Sequence, residues 1–173
     1  MYVADFGGIY LDTDVLILKS FDPLRGHDLV IARDSDKSIA NGIMIARKGA
    51  LFLRLWLESY RNYRPRSWGG NSVRFSNLLQ NLYPHLVYVE LHRLLKYGIL
   101  ECMYGFTKKK HCFDWSKSLS MHIYGEKIYT LPETPEQLKG FDSAIGQMMR
   151  YIYFGSPDLL PISGERFTAK KIK

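Results

Sequence analysis

The chain has 173 residues, 46% of them hydrophobic and 24% charged, which suits one globular domain or part of a larger one and excludes a disordered or collagen-like protein. It carries no apolar run of about 18 residues and no basic start followed by an apolar segment, so the sequence as it stands predicts neither a membrane-spanning helix nor a signal peptide. A net charge of +7 and a pI near 9.4 favour anionic partners (nucleotides, phosphates, nucleic acid or a membrane surface) without choosing among them.

In chain order, residues 1 to 6 read as the end of a helix, stopped by Gly7-Gly8. Ile9-Tyr10-Leu11 reads as a short buried strand, and Val15 to Leu18 resumes the apolar run after Asp12-Thr13-Asp14. Phe21 to Gly26 is a turn, Leu29 to Ala32 a second strand, and Arg33 to Ser38 a polar loop. Ile39 to Ala46 reads as a third strand around Asn41-Gly42. Leu51 to Tyr60 has helical periodicity with Trp56 facing the core. An Arg-, Pro- and Gly-rich loop over 62–71 leads to a second helix over 73–82 and a strand at 86–89. Ser120 to Tyr124 reads as a last strand, and a helix follows from about 135, with a tail from Ser156. Strands alternating with helices predict an α/β fold.

Two cysteines, Cys102 and Cys112, exclude a disulfide-rich scaffold, and their spacing does not suggest zinc. There is no Asn-x-Ser/Thr sequon. Positive charge gathers at Lys108-Lys109-Lys110, at Arg61 to Arg66 and at Lys170, Lys171 and Lys173, where a solvated surface is the default reading.

Asp12 and Asp14 sit inside an apolar segment, and a buried ionised carboxylate is costly unless it is paired or bound to a metal. Carboxylate oxygens are hard ligands suited to Mg²⁺ or Mn²⁺. Such an ion would neutralise the diphosphate of a nucleotide, and in open α/β sheets sites of this kind lie at the carboxyl ends of strands.

The stretch Phe6-Gly7-Gly8-Ile9-Tyr10-Leu11-Asp12-Thr13-Asp14-Val15 resembles the signature of the family 32 glycosyltransferases with a DXD sugar-binding region. That family includes animal α1,4-galactosyltransferases and α1,4-N-acetylglucosaminyltransferases and fungal α1,6-mannosyltransferases. Ala40 to Ala46 resembles the family's Asn-containing strand, Trp68-Gly69-Gly70-Asn71-Ser72 its Trp-Gly loop, and Ser120 to Tyr124 its His-x-Trp segment. Tyr124 stands where the family usually has Trp, and Asn71-Ser72-Val73 replaces Gln-Gly-Pro. The family also carries a nucleotide-binding stretch, a stem and a membrane anchor before the Gly-Gly turn, which this sequence does not contain.

The resemblance implies a partial Rossmann-like GT-A fold, a mixed sheet flanked by helices. It implies one incomplete catalytic domain over 1–173, with the motifs in 1–125 and a C-terminal helix and tail over 126–173. It implies a retaining transfer of a hexose or N-acetylhexosamine from a nucleotide-sugar, a UDP-sugar above all, to a glycan or glycolipid acceptor. Asp14 would bind Mn²⁺ or Mg²⁺ directly, and Asp12 would bind it through water or hold ribose and sugar hydroxyls. His122 would be the third ligand. Asn41, Gly42, Trp68 and Asn71 would join the two carboxylates in contacting the donor. Family members sit in the Golgi lumen, held by their anchor. Asp34 and Asp36 are candidate catalytic carboxylates, with a solvated loop as the alternative, and no pattern identifies a nucleophile. Competing readings are a non-catalytic remnant of such an enzyme and a basic nucleic-acid-binding protein. The second is disfavoured by scattered basic runs and the lack of a nucleic-acid motif.

Overall fold

The apolar runs of the first hundred residues assemble a four-stranded mixed sheet. The computed structural model describes residues 2–35, 38–63, 65–67, 69–94, 114–124 and 131–162. They fall into two compact units, one made from residues 1–98 and 116–122 and the other from 99–115 and 123–173.

In the first unit, helix α1 (Tyr2–Phe6) ends where Gly7 takes a φ of +72° and donates its N–H to Val3 O at 3.1 Å. A Cβ on Gly7 would stand 2.6 Å from the backbone nitrogen of Lys48, so both the turn and the close approach require glycine. Four strands follow in sheet order β1 (Gly8–Leu11), β4 (Ser38–Ala46), β3 (Leu29–Ser35) and β5 (Tyr88–Glu90). β4 runs antiparallel to both β1 and β3, while β3 and β5 are parallel. A separate antiparallel ribbon pairs β2 (Val15–Ile17) with β6 (Ser120–His122), in the register Val15 with His122 and Ile17 with Ser120. Helices α2 (Leu51–Glu58) and α3 (Phe75–Leu82) complete this unit.

The central strands are buried on both faces, which is why they read as continuous apolar runs rather than alternating ones. Leu29 and Ile31 of β3 and Met44 and Ala46 of β4 pack on one core with Val3, Phe52, Leu53, Trp56 and Leu79. Val30 and Ala32 of β3 and Ile43 and Ile45 of β4 pack on the other with Phe21, Leu24, Leu94 and Leu119. The period-two alternation slips inside β4. Ile39 shares a core with Met44, and the register against β3 jumps from Ile31–Met44 to Ala32–Ala40. Asn41-Gly42 occupies the resulting bulge.

The mixed α/β sheet flanked by helices is the expected class, compatible with a partial Rossmann-like fold. Several elements differ from the sequence pattern. β1 is not buried: Ile9 is 49% and Tyr10 43% exposed, and among the described residues the strand lies at the sheet edge with β4 as its one neighbour. Of the polar stretch 33–38, Arg33, Asp34 and Ser35 belong to β3 and Ser38 to β4, so its described residues are strand rather than loop. Residues 70–74 form a π-turn ahead of α3, and a 3₁₀ turn over Pro84–Leu86 delays β5 to Tyr88. Trp68, Asp36, both cysteines and the triple lysine lie outside the described residues.

In the second unit, the single helix expected from about 135 is two. The first, α4 (Pro135–Gly140), is opened by a Thr134–Gln137 capping box. The second, α5 (Ala144–Phe154), is opened by Ser143, whose hydroxyl accepts the N–H of Gly146. Arg150 of α5 is wholly buried, and its guanidinium donates to the carbonyls of Phe141 (2.6 Å), Leu138 (3.3 Å) and Pro157 (2.9 Å). Burial lowers the pKa of Arg150, while the charges of Asp142 and Asp158 act the other way. No helix among the described residues is long and apolar enough to cross a membrane.

Phe52 has no exposed surface and stacks edge-on against Trp56. Phe52→Ala is expected to cost about 3–5 kcal/mol in urea unfolding, whereas Leu78→Ala, at a side chain 51% exposed, is expected to cost about 0.5 kcal/mol.

Candidate metal centre

Asp12 is the first residue beyond β1, and its N–H still donates to Gly42 O across the bulge of β4 at 2.8 Å. Val15 N–H then donates to Asp12 O at 3.2 Å, closing a tight turn that sends the chain from the sheet into the β2–β6 ribbon. Leu11 and Val15 bracket the turn and pack on the second core, so the two carboxylates are held on a short anchored loop. His122 lies opposite Val15 in the ribbon, and its side chain reaches back over that loop. Its Nε2 stands 2.9 Å from Oδ1 of Asp14 and 3.8 Å from Oδ2 of Asp12. One donor atom from each of the three residues falls within 4.8 Å of the others, so the group could hold a metal ion. The His122 side chain is 12% exposed and the carboxylates of Asp14 and Asp12 26% and 37%, so the donors are partly open to solvent.

Two neighbours shape this group. A Cβ on Gly42 would stand 2.9 Å from Oδ2 of Asp12 and 3.2 Å from Cε1 of His122. The missing side chain is therefore the space into which the carboxylate and imidazole fit. Tyr10 donates its phenol hydrogen to Oδ1 of Asp12 at 2.7 Å, leaving Oδ2 turned toward His122. That hydrogen bond, then partial burial and the charges of Asp12 and Asp14, push the Tyr10 phenol up to about 12.

Two carboxylates and one imidazole suit a divalent ion, since carboxylates favour hard cations and imidazole favours the first-row transition metals. An ion with about six ligands would keep positions open for oxygens of a bound molecule.

Of the other sequence candidates, Asn41 lies in the bulge beside Gly42. Asn71 is engaged internally: its amide donates to Ser59 O at 2.9 Å, and its carbonyl accepts the Trp56 indole N–H at 2.6 Å. Asp34 is exposed on β3, near its C-terminal end, rather than in a loop. Tyr10 was not singled out as a site residue. Its signal in the sequence is its place two residues before Asp12, on the same side of a strand.

Part of the chain is similar to Glucan organizing enzyme 1 of Cryptococcus neoformans var. grubii serotype A, at 30% identity over 77 residues. The similar segment covers 39% of this chain and 21% of that protein, so the chain spans about a fifth of the relative's length. No protein-family model matches the chain. No solved structure matches it either.

Gly42→Ala is expected to leave the metal-free melting temperature close to wild type, because only side-chain ends must move. Mn²⁺ affinity, read from the free-ion electron paramagnetic resonance signal, is expected to fall by about tenfold or more. For Tyr10, the folded protein favours the neutral phenol. The stability this contributes is complete below the ordinary value of 10.0 and fades as pH rises through about 12. The wild-type minus Tyr10→Phe absorbance titration is expected to show that late ionisation, and Asp12→Asn is expected to bring it earlier.

Proposed function

We propose that this chain is the catalytic part of a metal-dependent retaining glycosyltransferase, moving a hexose or N-acetylhexosamine from a nucleotide-sugar to a glycan or glycolipid. The observation that carries this reading is the meeting of Asp12 and Asp14 with His122, which is 108 positions from Asp14 in the chain. The order of the motif segments and the glycan-related name of the relative support it. Because the chain spans about a fifth of that relative, the activity is a reading of the site and not a transfer from the whole protein.

In this reading Asp14 and His122 hold Mn²⁺, or Mg²⁺, directly. Asp12, fixed in orientation by Tyr10, completes the set or holds ribose and sugar hydroxyls. A divalent ion bound there supplies Lewis-acid stabilisation of the charge that grows on a departing nucleoside diphosphate. Asn41, on the bulge beside Gly42, offers its amide to hydroxyls of the donor sugar. The imidazole is largely kept from bulk water while the carboxylates stay partly exposed to the incoming donor. The acceptor hydroxyl attacks an oxocarbenium-like carbon on the face from which the diphosphate leaves; the sugar–phosphate bond breaks and the departing diphosphate takes the hydroxyl proton. The compartment this chemistry fits is the Golgi lumen, where UDP-sugars meet glycan acceptors.

The test is thermal unfolding of the chain with UDP and with several UDP-sugars, each with and without Mn²⁺. Saturation at about 100 times Kd stabilises by about 2.7 kcal/mol, which for this size is roughly 5–10 °C. A Mn²⁺-dependent shift of that order, absent in Asp14→Ala, is the expected result. A folded chain that shows no shift with any UDP ligand would overturn the reading and favour a remnant that has lost donor binding.

A further inference from the structure

The metal centre draws its ligands from two substructures. Asp12 hangs from the end of the four-stranded sheet, while His122 belongs to the β2–β6 ribbon. A two-stranded ribbon of three residue pairs is marginal on its own, so its register depends on what anchors it from outside. A slip of one residue along β6 would turn His122 to the opposite face, away from Asp14.

The anchor starts at Glu90. This residue ends β5, opposite Ala32 of β3, and is only 5% exposed. A carboxylate so placed must be satisfied. Its Oε1 accepts the backbone N–H groups of His92 (3.2 Å) and Arg93 (3.3 Å). Its Oε2 accepts Nε (3.0 Å) and Nη2 (2.5 Å) of the Arg93 guanidinium. Burial works to raise the Glu90 pKa, but these hydrogen bonds outweigh it and hold the carboxyl below its usual range.

The four bonds fold residues 90–93 into a turn that fixes where the Arg93 carbonyl lies. That carbonyl accepts the N–H groups of Leu119 (2.7 Å) and Ser120 (3.3 Å), at the entry to β6. The hydroxyl of Ser120, which has no exposed surface, donates to Leu94 O at 2.8 Å. On the other side, Leu119 O accepts the N–H groups of Leu18 (2.8 Å) and Lys19 (3.1 Å), just past β2. The entry to β6 is thus clamped between the 90–94 turn and the end of β2, two residues before His122.

We propose that Glu90 is a positioning residue for the metal centre: through Arg93 and the backbone of Leu119 and Ser120, it sets the register that places His122 over Asp14. The inference rests on the proposed metal site and names the residue that tunes it. Glu90 touches no candidate ligand, so its effect must pass through β6.

The experiment uses the full chain and Mn²⁺ alone. Glu90→Gln keeps the size and one acceptor oxygen of the side chain but removes the charge that grips Arg93. Three quantities are read: the melting temperature without metal, Mn²⁺ affinity from the free-ion signal, and the His122 ring proton resonance, assigned by its loss in His122→Gln. The expected result is a folded variant whose metal-free His122 resonance has moved and whose Mn²⁺ affinity has fallen about tenfold or more. Arg93→Lys, which keeps the ion pair without the fork, is expected to lose less. Should Glu90→Gln not fold, Arg93→Gln removes the same pair from a side chain 36% exposed and carries the same expectation. A folded variant with wild-type affinity and an unmoved His122 resonance overturns this inference alone. A wild-type chain with no affinity for Mn²⁺ overturns the metal centre, and this inference with it.

Discussion

Two carboxylates two residues apart, forced to share a corner with one imidazole, are the constraint around which the first unit is arranged. Unit charges within 4.8 Å repel by roughly 1 to 3 kcal/mol, depending on how far water screens them. A solvated loop would relieve this by letting the side chains swing apart. Here the loop has no such freedom. Leu11 and Val15 pin both of its ends to the core, the Asp12 N–H is bound to Gly42 O, and Tyr10 fixes one oxygen of Asp12. A divalent cation held by the three donors would offset that repulsion.

The surroundings follow from that corner. β4 must leave space where Asp12 and His122 converge, and it does so by placing glycine at a bulge. The bulge in turn explains why the alternation of β4 breaks between Ala40 and Ile43 while both ends stay buried. Without the three extra residues that the register jump leaves on β4, an odd number, the apolar side chains after the bulge would exchange faces of the sheet. The same irregularity thus keeps the core sorted and opens the site.

How much of this the sequence made legible depends on whether a feature is local. The β3 and β4 runs, the helix bearing Trp56 and the Gly7-Gly8 stop are encoded in adjacent residues and stand in the structure close to where the pattern places them. The Asp-x-Asp was visible because carboxylates inside an apolar run are costly. Its partner His122 came into view only through a resemblance, since no periodicity connects residues 108 positions apart. The exposure of β1 was hidden because apolar spelling alone does not separate an edge strand from a central one. The space at Gly42 and the hydrogen bond of Tyr10 were hidden for a related reason: both depend on which strands become neighbours. Asn71 carried a loose motif resemblance, and in the structure its amide and carbonyl tie the π-turn to the end of α2.

Buried charge separates structural groups from ligand-holding ones. Arg150 is fully enclosed, yet its guanidinium is matched by carbonyls of three residues that it fastens together. Glu90 is enclosed and receives hydrogen bonds on both oxygens, with a guanidinium beside it. Both are closed accounts of polarity, and each holds backbone segments in place. The Asp12–Asp14–His122 corner differs in kind, because its donors converge on one point and remain partly open to solvent. Two converging carboxylates are poor design for a purely structural element, since replacing either with an amide would relieve their mutual repulsion. The arrangement suits a group that could hold a metal ion. Within the first unit, the closed group Glu90 is the one proposed to keep the open one in register.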